Sequence, residues 1–407
     1  MRLIPLLLVL LLVAATPTRA TAQTEAPATR AEALRLEREK KQQQVRPNQP
    51  DALQRGMDYI EDRALFLVAR DGFHPKLGSL TTGSGFAFGV GFRDRDLFKK
   101  RARLELWTAA SLKKYWAMEA RVAAPDLPGG RLIGGVVASL REYPQEDYFG
   151  LGPDSRRDDR SSFRLRTTEV SGIGGVRLAP VVTIGGGLGF IASRTGAGKN
   201  SRVPTITERF DSVSAPGFGV DTDFLRSSAF VDVDYREPLN ARRGGWYRFE
   251  VSRYADRDNG AWSFTRTDVD LRQFIGFLAD RRVLALRAFV SSSDALDDSN
   301  GVPFYLMPAL GGNDSLRGFR NYRFRGPHAL LLQAEYRWEI WSGLDGAFFY
   351  DAGKVGLRRS DLGLDKLEDD YGFGFRFNTD NGVILRVDAA FGSREGKHLH
   401  IVFGGVF

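Results

Sequence analysis

From position 63 onward the chain alternates apolar and polar residues with a period of two, and Gly, Asn, Asp and Pro stand between the runs. Successive side chains of a strand point to opposite faces, so this rhythm predicts strands joined by turns. In the run from Gln333 to Ile340 one face reads Gln333, Glu335, Arg337, Glu339 and the other Ala334, Tyr336, Trp338, Ile340. Tyr247, Phe249 and Val251 likewise oppose Arg248 and Glu250, and Arg266, Asp268, Asp270 and Arg272 oppose Thr267, Val269 and Leu271. Sixteen such segments are legible: 63–69, 84–92, 101–111, 115–124, 131–142, 163–177, 181–193, 225–235, 246–254, 262–277, 283–292, 328–341, 345–352, 371–378, 383–391 and 399–407.

A soluble β-sandwich alternates in the same way. The polar faces separate the two cases. Rows of ionised side chains suit a wet lumen, the opposite faces are rich in Tyr, Trp and Phe as lipid-facing belts are, and strands near ten residues fit a tilted span. The pattern therefore predicts an all-β fold, a transmembrane antiparallel β-barrel of about sixteen strands over 63–407, with a long loop before the last five.

The N-terminus reads differently. Met1-Arg2 precedes an apolar run from Leu3 to Ala15 and the small triplet Ala20-Thr21-Ala22, the layout of a secretory signal peptide over 1–22. About thirteen apolar residues are too few for a helix that needs roughly twenty to cross a bilayer. Residues 23–62 form a polar periplasmic tether punctuated by Pro27, Pro47 and Pro50. Its stretches 30–44 and 52–61 are helix-prone; the first reads as an exposed helix or a disordered tether, and the second could approach the barrel mouth.

The 407 residues include no cysteine, so an exported chain of this kind holds itself together without disulfides. The net charge of +8 would point to nucleic acid in a cytosolic protein, but here the cations alternate with Asp and Glu along the strands. The excess is assigned to a lumen and rim facing water and anionic lipid, with no nucleic-acid partner. Catalysis finds no support: the four histidines, His74, His328, His398 and His400, accompany neither a G-x-S-x-G elbow nor an H-E-x-x-H pair. His398 and His400 share a face, but two ligands on one strand make a weak metal site, and no metal or cofactor is expected. The run from Gly185 to Gly189 lies inside a strand pattern with no helix after it, which argues against a phosphate loop.

The loop before the last five strands contains Leu310-Gly311-Gly312-Asn313-Asp314-Ser315-Leu316-Arg317-Gly318-Phe319-Arg320. A Gly pair followed by Arg-Gly-aromatic in this place resembles the sixth extracellular loop of the BamA/TamA superfamily of outer-membrane assembly and translocation proteins, the bacterial surface antigen barrels. Two further elements match in order. Gln333-Ala334-Glu335-Tyr336 resembles the strand carrying that family's acidic residue, and Phe349-Tyr350-Asp351-Ala352-Gly353 resembles its Phe-x-Asp-x-Gly strand. The resemblance implies that the loop folds back into the lumen and that its Arg pairs with two inward carboxylates, here Arg317 with Glu335 and Asp351, with Gly318, Phe319 and Gly353 completing the lock. Strand parity independently places Glu335 and Asp351 on polar faces of neighbouring strands, and a guanidinium can bridge two carboxylates.

The last segment ends on Phe407, in phase with Phe403, and looks like the signal that barrel assembly machinery reads when it inserts such proteins. Near the start, Gly72-Phe73-His74-Pro75 and Leu80 to Phe86 look like the entry of short superfamily members. Gly83, Gly85, Gly89 and Gly91, with Gly404 and Gly405 in the last strand, predict either a weak seam between the first and last strands or relief of strong curvature. Residues 23–62 are too few for even one of the polypeptide-transport-associated (POTRA) domains that precede the barrel in the best-known members. The expectation is a short member of the bacterial outer membrane, in contact with lipid and lipopolysaccharide, not an enzyme, inserting or exporting an unknown polypeptide or lipid client; the alternative is a passive porin-like channel.

Overall fold

The computed structural model describes residues 71–403, apart from positions 82, 101, 126, 128, 238–240, 259, 297–299, 342, 380–381 and 393–394. The expected signal peptide, the tether and its helices, the segment 63–69, Gly404, Gly405 and Phe407 lie outside the described residues.

Sixteen antiparallel strands form one sheet in chain order. They are β1 (Gly72–Gly78), β2 (Ala87–Asp96), β3 (Ala102–Ser111), β4 (Trp116–Ala124), β5 (Leu132–Tyr148), β6 (Ser161–Ala179), β7 (Val182–Ala197) and β8 (Thr222–Asp234). The series continues with β9 (Gly244–Asp256), β10 (Phe264–Phe277) and β11 (Arg282–Ala295). A two-stranded hairpin, β12 (Ala309–Leu310) with β13 (Phe324–Arg325), interrupts it inside the following loop. The last five strands are β14 (His328–Trp341), β15 (Leu344–Gly356), β16 (Glu368–Thr379), β17 (Gly382–Gly392) and β18 (Gly396–Phe403). No helix is long and apolar enough to cross a membrane among the described residues.

The sheet curls into a nearly closed barrel, and alternation along each strand sorts its faces. On β14, Gln333, Glu335 and Arg337 are buried inside while Tyr336 and Ile340 are exposed outside. On β15, Phe349, Asp351 and Gly353 face in, while Phe348 and Tyr350 face out. Long connections gather at one end, as between Tyr148 and Ser161, Ala197 and Thr222, and Ala295 and His328. At the other end Ala179 and Val182, or Trp341 and Leu344, are almost adjacent. Short turns at one end and long loops at the other are the layout of outer-membrane barrels.

The strand count agrees with the sequence pattern, but the first member differs. Gly72–Gly78 is a strand, paired with β2 from Gly72↔Arg93 to Gly78↔Ala87, although Pro75 in its middle argues against one. Proline lacks the N–H that a central strand donates, so it is tolerated on an edge. Among the described residues, β1 and β18 pair with β2 and β17 alone. In β2, Gly91 leaves the space that the His74 ring of β1 fills.

The two faces should respond differently to charge. Val170, half-exposed on the outer face of β6, should cost about 2–4 kcal/mol when replaced by Arg at mid-membrane depth. Glu169→Gln on the lumen face, where the part-exposed carboxylate accepts from the Ser171 hydroxyl at 2.7 Å, should cost under about 1 kcal/mol, since an amide oxygen can accept the same bond. Urea-dependent folding into phospholipid vesicles, followed by Trp fluorescence, measures both.

Candidate functional site

The connection between β11 and β14 turns back into the lumen, and its descent depends on backbone that only glycine provides cheaply. Gly311 adopts φ +112° and Gly312 φ +98°, the left-handed region that side chains disfavour. The loop packs Leu310, Leu316, Phe319 and Phe324 against Ala329, Leu331 and Val355 of the wall, with Phe319 and Phe324 edge to face at 5.2 Å. This apolar contact carries Arg317 to the wall of the last five strands. Gly353 continues the inward row of β15 and leaves room for the Leu310 side chain.

Arg317 is 1% exposed, and Glu335 and Asp351 are 0% exposed. Its Nε and Nη2 donate to the two oxygens of Asp351 at 2.7 and 2.8 Å, a bidentate pair, while Nη1 donates to Glu335 Oε2 at 2.9 Å and approaches Asp388 Oδ2 at 3.4 Å. The guanidinium carbon stands 3.5 Å from the centroid of the Phe349 ring, so one face of the cation rests on an aromatic quadrupole. The Arg317 carbonyl accepts from His400 Nε2 at 2.7 Å. The next residue, Gly318, lies so close to β16 and β17 that a Cβ there would stand 2.5 Å from both Asp370 Cβ and the Gly392 nitrogen. The Arg317-Gly318 dipeptide thus touches all five of the last strands.

A wider network neutralises these charges. Arg337 Nε donates to Glu335 at 2.7 Å, Arg376 Nη2 to the same carboxylate at 2.7 Å, and Arg376 Nη1 to Asp388. Arg386 Nη2 donates to the Asn313 carbonyl at 2.8 Å, and Gln333 Nε2 joins the Ser315 carbonyl at 2.9 Å to Asp351 at 3.0 Å. The buried cations Arg317, Arg337, Arg376 and Arg386 meet the buried carboxylates Glu335, Asp351 and Asp388, while the buried Asp370 stands beside them without an ion pair among the described residues. Charges removed from water in such numbers persist only when paired and hydrogen-bonded.

Arg317, Gly318, Phe319, Glu335, Asp351 and Gly353, singled out from the sequence, are therefore gathered around one point. Phe403 sits elsewhere, at the far end of β18 opposite Leu385. The sequence reading missed the part played by Asp388, Arg376, Arg386 and His400, and it quoted Phe349 within the motif without assigning it a role. Inward parity was available for Arg386 and Asp388, but nothing local distinguishes them from other lumen charges. His398 and His400 stack at 6.2 Å, and His400 is engaged by the Arg317 carbonyl; among the described residues no three metal-type ligands gather.

The loop is also tied at its upper end. Tyr322 and Thr81 hydroxyls are 3.1 Å apart, reaching the β1–β2 connection, and burial pushes the Tyr322 hydroxyl up in pKa, so it stays neutral. Arg323 pairs with Glu395 in the β17–β18 turn and donates to the Ser155 hydroxyl at 2.9 Å. Two consecutive residues thus hold the hairpins on either side of the β1–β18 seam.

The model of the Omp85 superfamily domain matches residues 221–403. This part of the chain, from β8 to β18, is similar to that superfamily's domain. That match begins beside β8 and includes the loop and all five strands around Arg317. Solved structures similar in fold to this barrel include BamA from Haemophilus ducreyi lacking POTRA domains 1-3, with TM-score 0.58 and 11% identity over 84% of this chain and 76% of that one. CdiB from Escherichia coli aligns with TM-score 0.55 and 14% identity over 81% of this chain and 61% of its own. CdiB from Acinetobacter baumannii aligns with TM-score 0.51 and 13% identity over 78% and 56%. The chain thus spans less than two thirds of either CdiB. No curated protein sequence matches it.

Removing Arg317 strands Asp351 in a dry site. Arg317→Ala should destabilise the barrel by about 3–5 kcal/mol, as for a buried pair that loses one member, and lower the temperature at which the folded band disappears in heat-modifiability gels. Gly318→Ala should leave the barrel folded but unseat the loop. Limited proteolysis of intact barrels should then cleave near 313–320, where the parent is protected.

Proposed function

We propose that the protein is an outer-membrane Omp85 barrel that handles a polypeptide or lipid client, inserting it into or exporting it across that membrane, without catalysis. One observation carries the reading: the ties that hold the loop inside the lumen centre on one side chain, Arg317, that bridges β14, β15 and β17. A static plug needs no such focus. A bridge of charge-assisted bonds at one point has two discrete arrangements, made and broken, and that is what a gated passage requires. The barrel assembly machinery is the expected partner for its own insertion.

A passive channel is the second reading, favoured by a cavity of about 370 Å³ beside the loop, lined by Trp246, Arg248, Glu250, Arg266, Asp268, Asp270 and Phe289 with Pro308 and Ala309. Mixed charge on such a wall suits small hydrated solutes.

Two measurements separate the readings. In planar bilayers a gated barrel should pass little steady current, and Arg317→Ala should raise it severalfold; a large current unaltered by the substitution favours the pore. In cells, cysteines placed at Ser315 and Gln333, in contact across the loop and wall, allow a thiol-cleavable crosslinker to hold the loop down in a chain that has no other cysteine. Crosslinking should reproduce the change in surface polypeptide or lipid content caused by deleting the gene, and cleavage should reverse it. Unchanged content after deletion would sink the client-handling reading.

A further inference from the structure

The outer face of β5 to β7 carries charges that the lumen network does not use. The strand register sets Glu142 opposite Arg166, and Arg166 opposite Arg194. These positions share a parity with exposed apolar residues: Val136 on β5, Val170 and Val176 on β6, Leu188 and Phe190 on β7. The row therefore points away from the lumen and sits where the apolar band ends, on the side of the long connections.

Like charges directly opposite on neighbouring strands are destabilising, and here the guanidinium groups diverge. Arg166 approaches Glu142 at 3.6 Å and Arg164 donates to the same carboxylate at 3.0 Å, both on the β5 side. Arg194 turns the other way, to Asp223 at 2.6 Å and Asp221 at 3.3 Å, on the β8 side. Between β6 and β7 the outward row is Arg164, Arg166 and Thr168 against Ala192 and Arg194, with no carboxylate.

We propose that Arg166 and Arg194, supported by Arg164, bind the phosphate of a phosphorylated glycolipid in the outer leaflet, whose acyl chains lie on the apolar band below. An anion between facing arginines turns their repulsion into two charge-assisted contacts, and guanidinium geometry matches phosphate oxygens. The long-loop end is the extracellular end of such barrels, so the row stands at headgroup depth. The commitment to a lipid over a free anion follows from the apolar surface directly beneath the arginines. The inference rests on the outer-membrane placement proposed above.

The test uses the purified full chain in detergent micelles, titrated with bisphosphorylated lipid A, its dephosphorylated form and phosphatidylglycerol, with bound lipid counted by native mass spectrometry. The expected result is preferential retention of the bisphosphorylated form, weakened at least tenfold in Arg166→Ser/Arg194→Ser and unchanged in Arg281→Ser at the opposite end. Both variants should keep the parent's heat-modifiable mobility; single Arg166→Ser serves if the double variant does not fold. Parent-like retention by the double variant, or equal retention of dephosphorylated lipid, overturns the site. Full competition by millimolar inorganic phosphate overturns the commitment to a lipid. Because binding is read on the isolated barrel, failure here leaves the client-handling reading standing, and failure of the cellular crosslinking assay leaves this one standing.

Discussion

The buried guanidinium of Arg317 organises this barrel. A charge that is 1% exposed cannot remain unless carboxylates reach it, and carboxylates gathered at one point repel one another unless further cations join. The requirement propagates outward: Asp351 takes two of its bonds, Glu335 and Asp388 share its Nη1, and Arg337, Arg376 and Arg386 follow to balance the acids. The glycines answer the same constraint. The Arg317 side chain reaches β15 only because the chain at Gly318 lies against β16 and β17 with no room for a Cβ.

This network divides the interior into two walls of different character. Beneath β14 to β17 the lumen is dry, packed and charge-balanced, and the loop belongs to it as much as the strands do. Across β9 to β11, Arg248, Glu250, Arg266, Asp268 and Asp270 line an open cavity and are joined by short, local pairs such as Arg248 with Glu250 and Asp270 with Arg287. Pairs of that kind can exchange partners with water or a passing chain at little cost. The two walls therefore differ in what solvation costs, little across β9 to β11 and the loss of buried pairing beneath β14 to β17.

Above the lock, aromatic packing holds the outer part of the loop. Phe304 stacks among Tyr148 and Phe163, and Tyr305 joins Thr222 through their hydroxyls. Tyr322 and Arg323 then reach the two hairpins that border the seam. The loop that enters the lumen thus also contacts both hairpins beside the edge where β1 and β18 lack mutual pairing among the described residues. The outer surface adds a separate demand, because the Arg166–Arg194 pair faces lipid and not the loop.

The period of two in the sequence was enough for fifteen of the sixteen described barrel strands and for their faces, because burial on one side and lipid on the other force alternation whatever the neighbours are. Pro75 hid the first described strand, since a residue that forbids a central strand is harmless on an edge, and which strand lies at an edge is decided only in the assembled sheet. Arg317, Glu335 and Asp351 were legible because they sit in short motifs whose order resembles a known family. Asp388, Arg376, Arg386 and His400 were not, although three of them are as buried as Arg317. Each looks locally like any lumen charge. Their partners lie on strands brought together only when the sheet curls, and Arg166 faces Arg194 only through the register of β6 on β7. Alternation is decided by adjacent residues, but charge pairing by distance across a barrel, which only the tertiary structure sets.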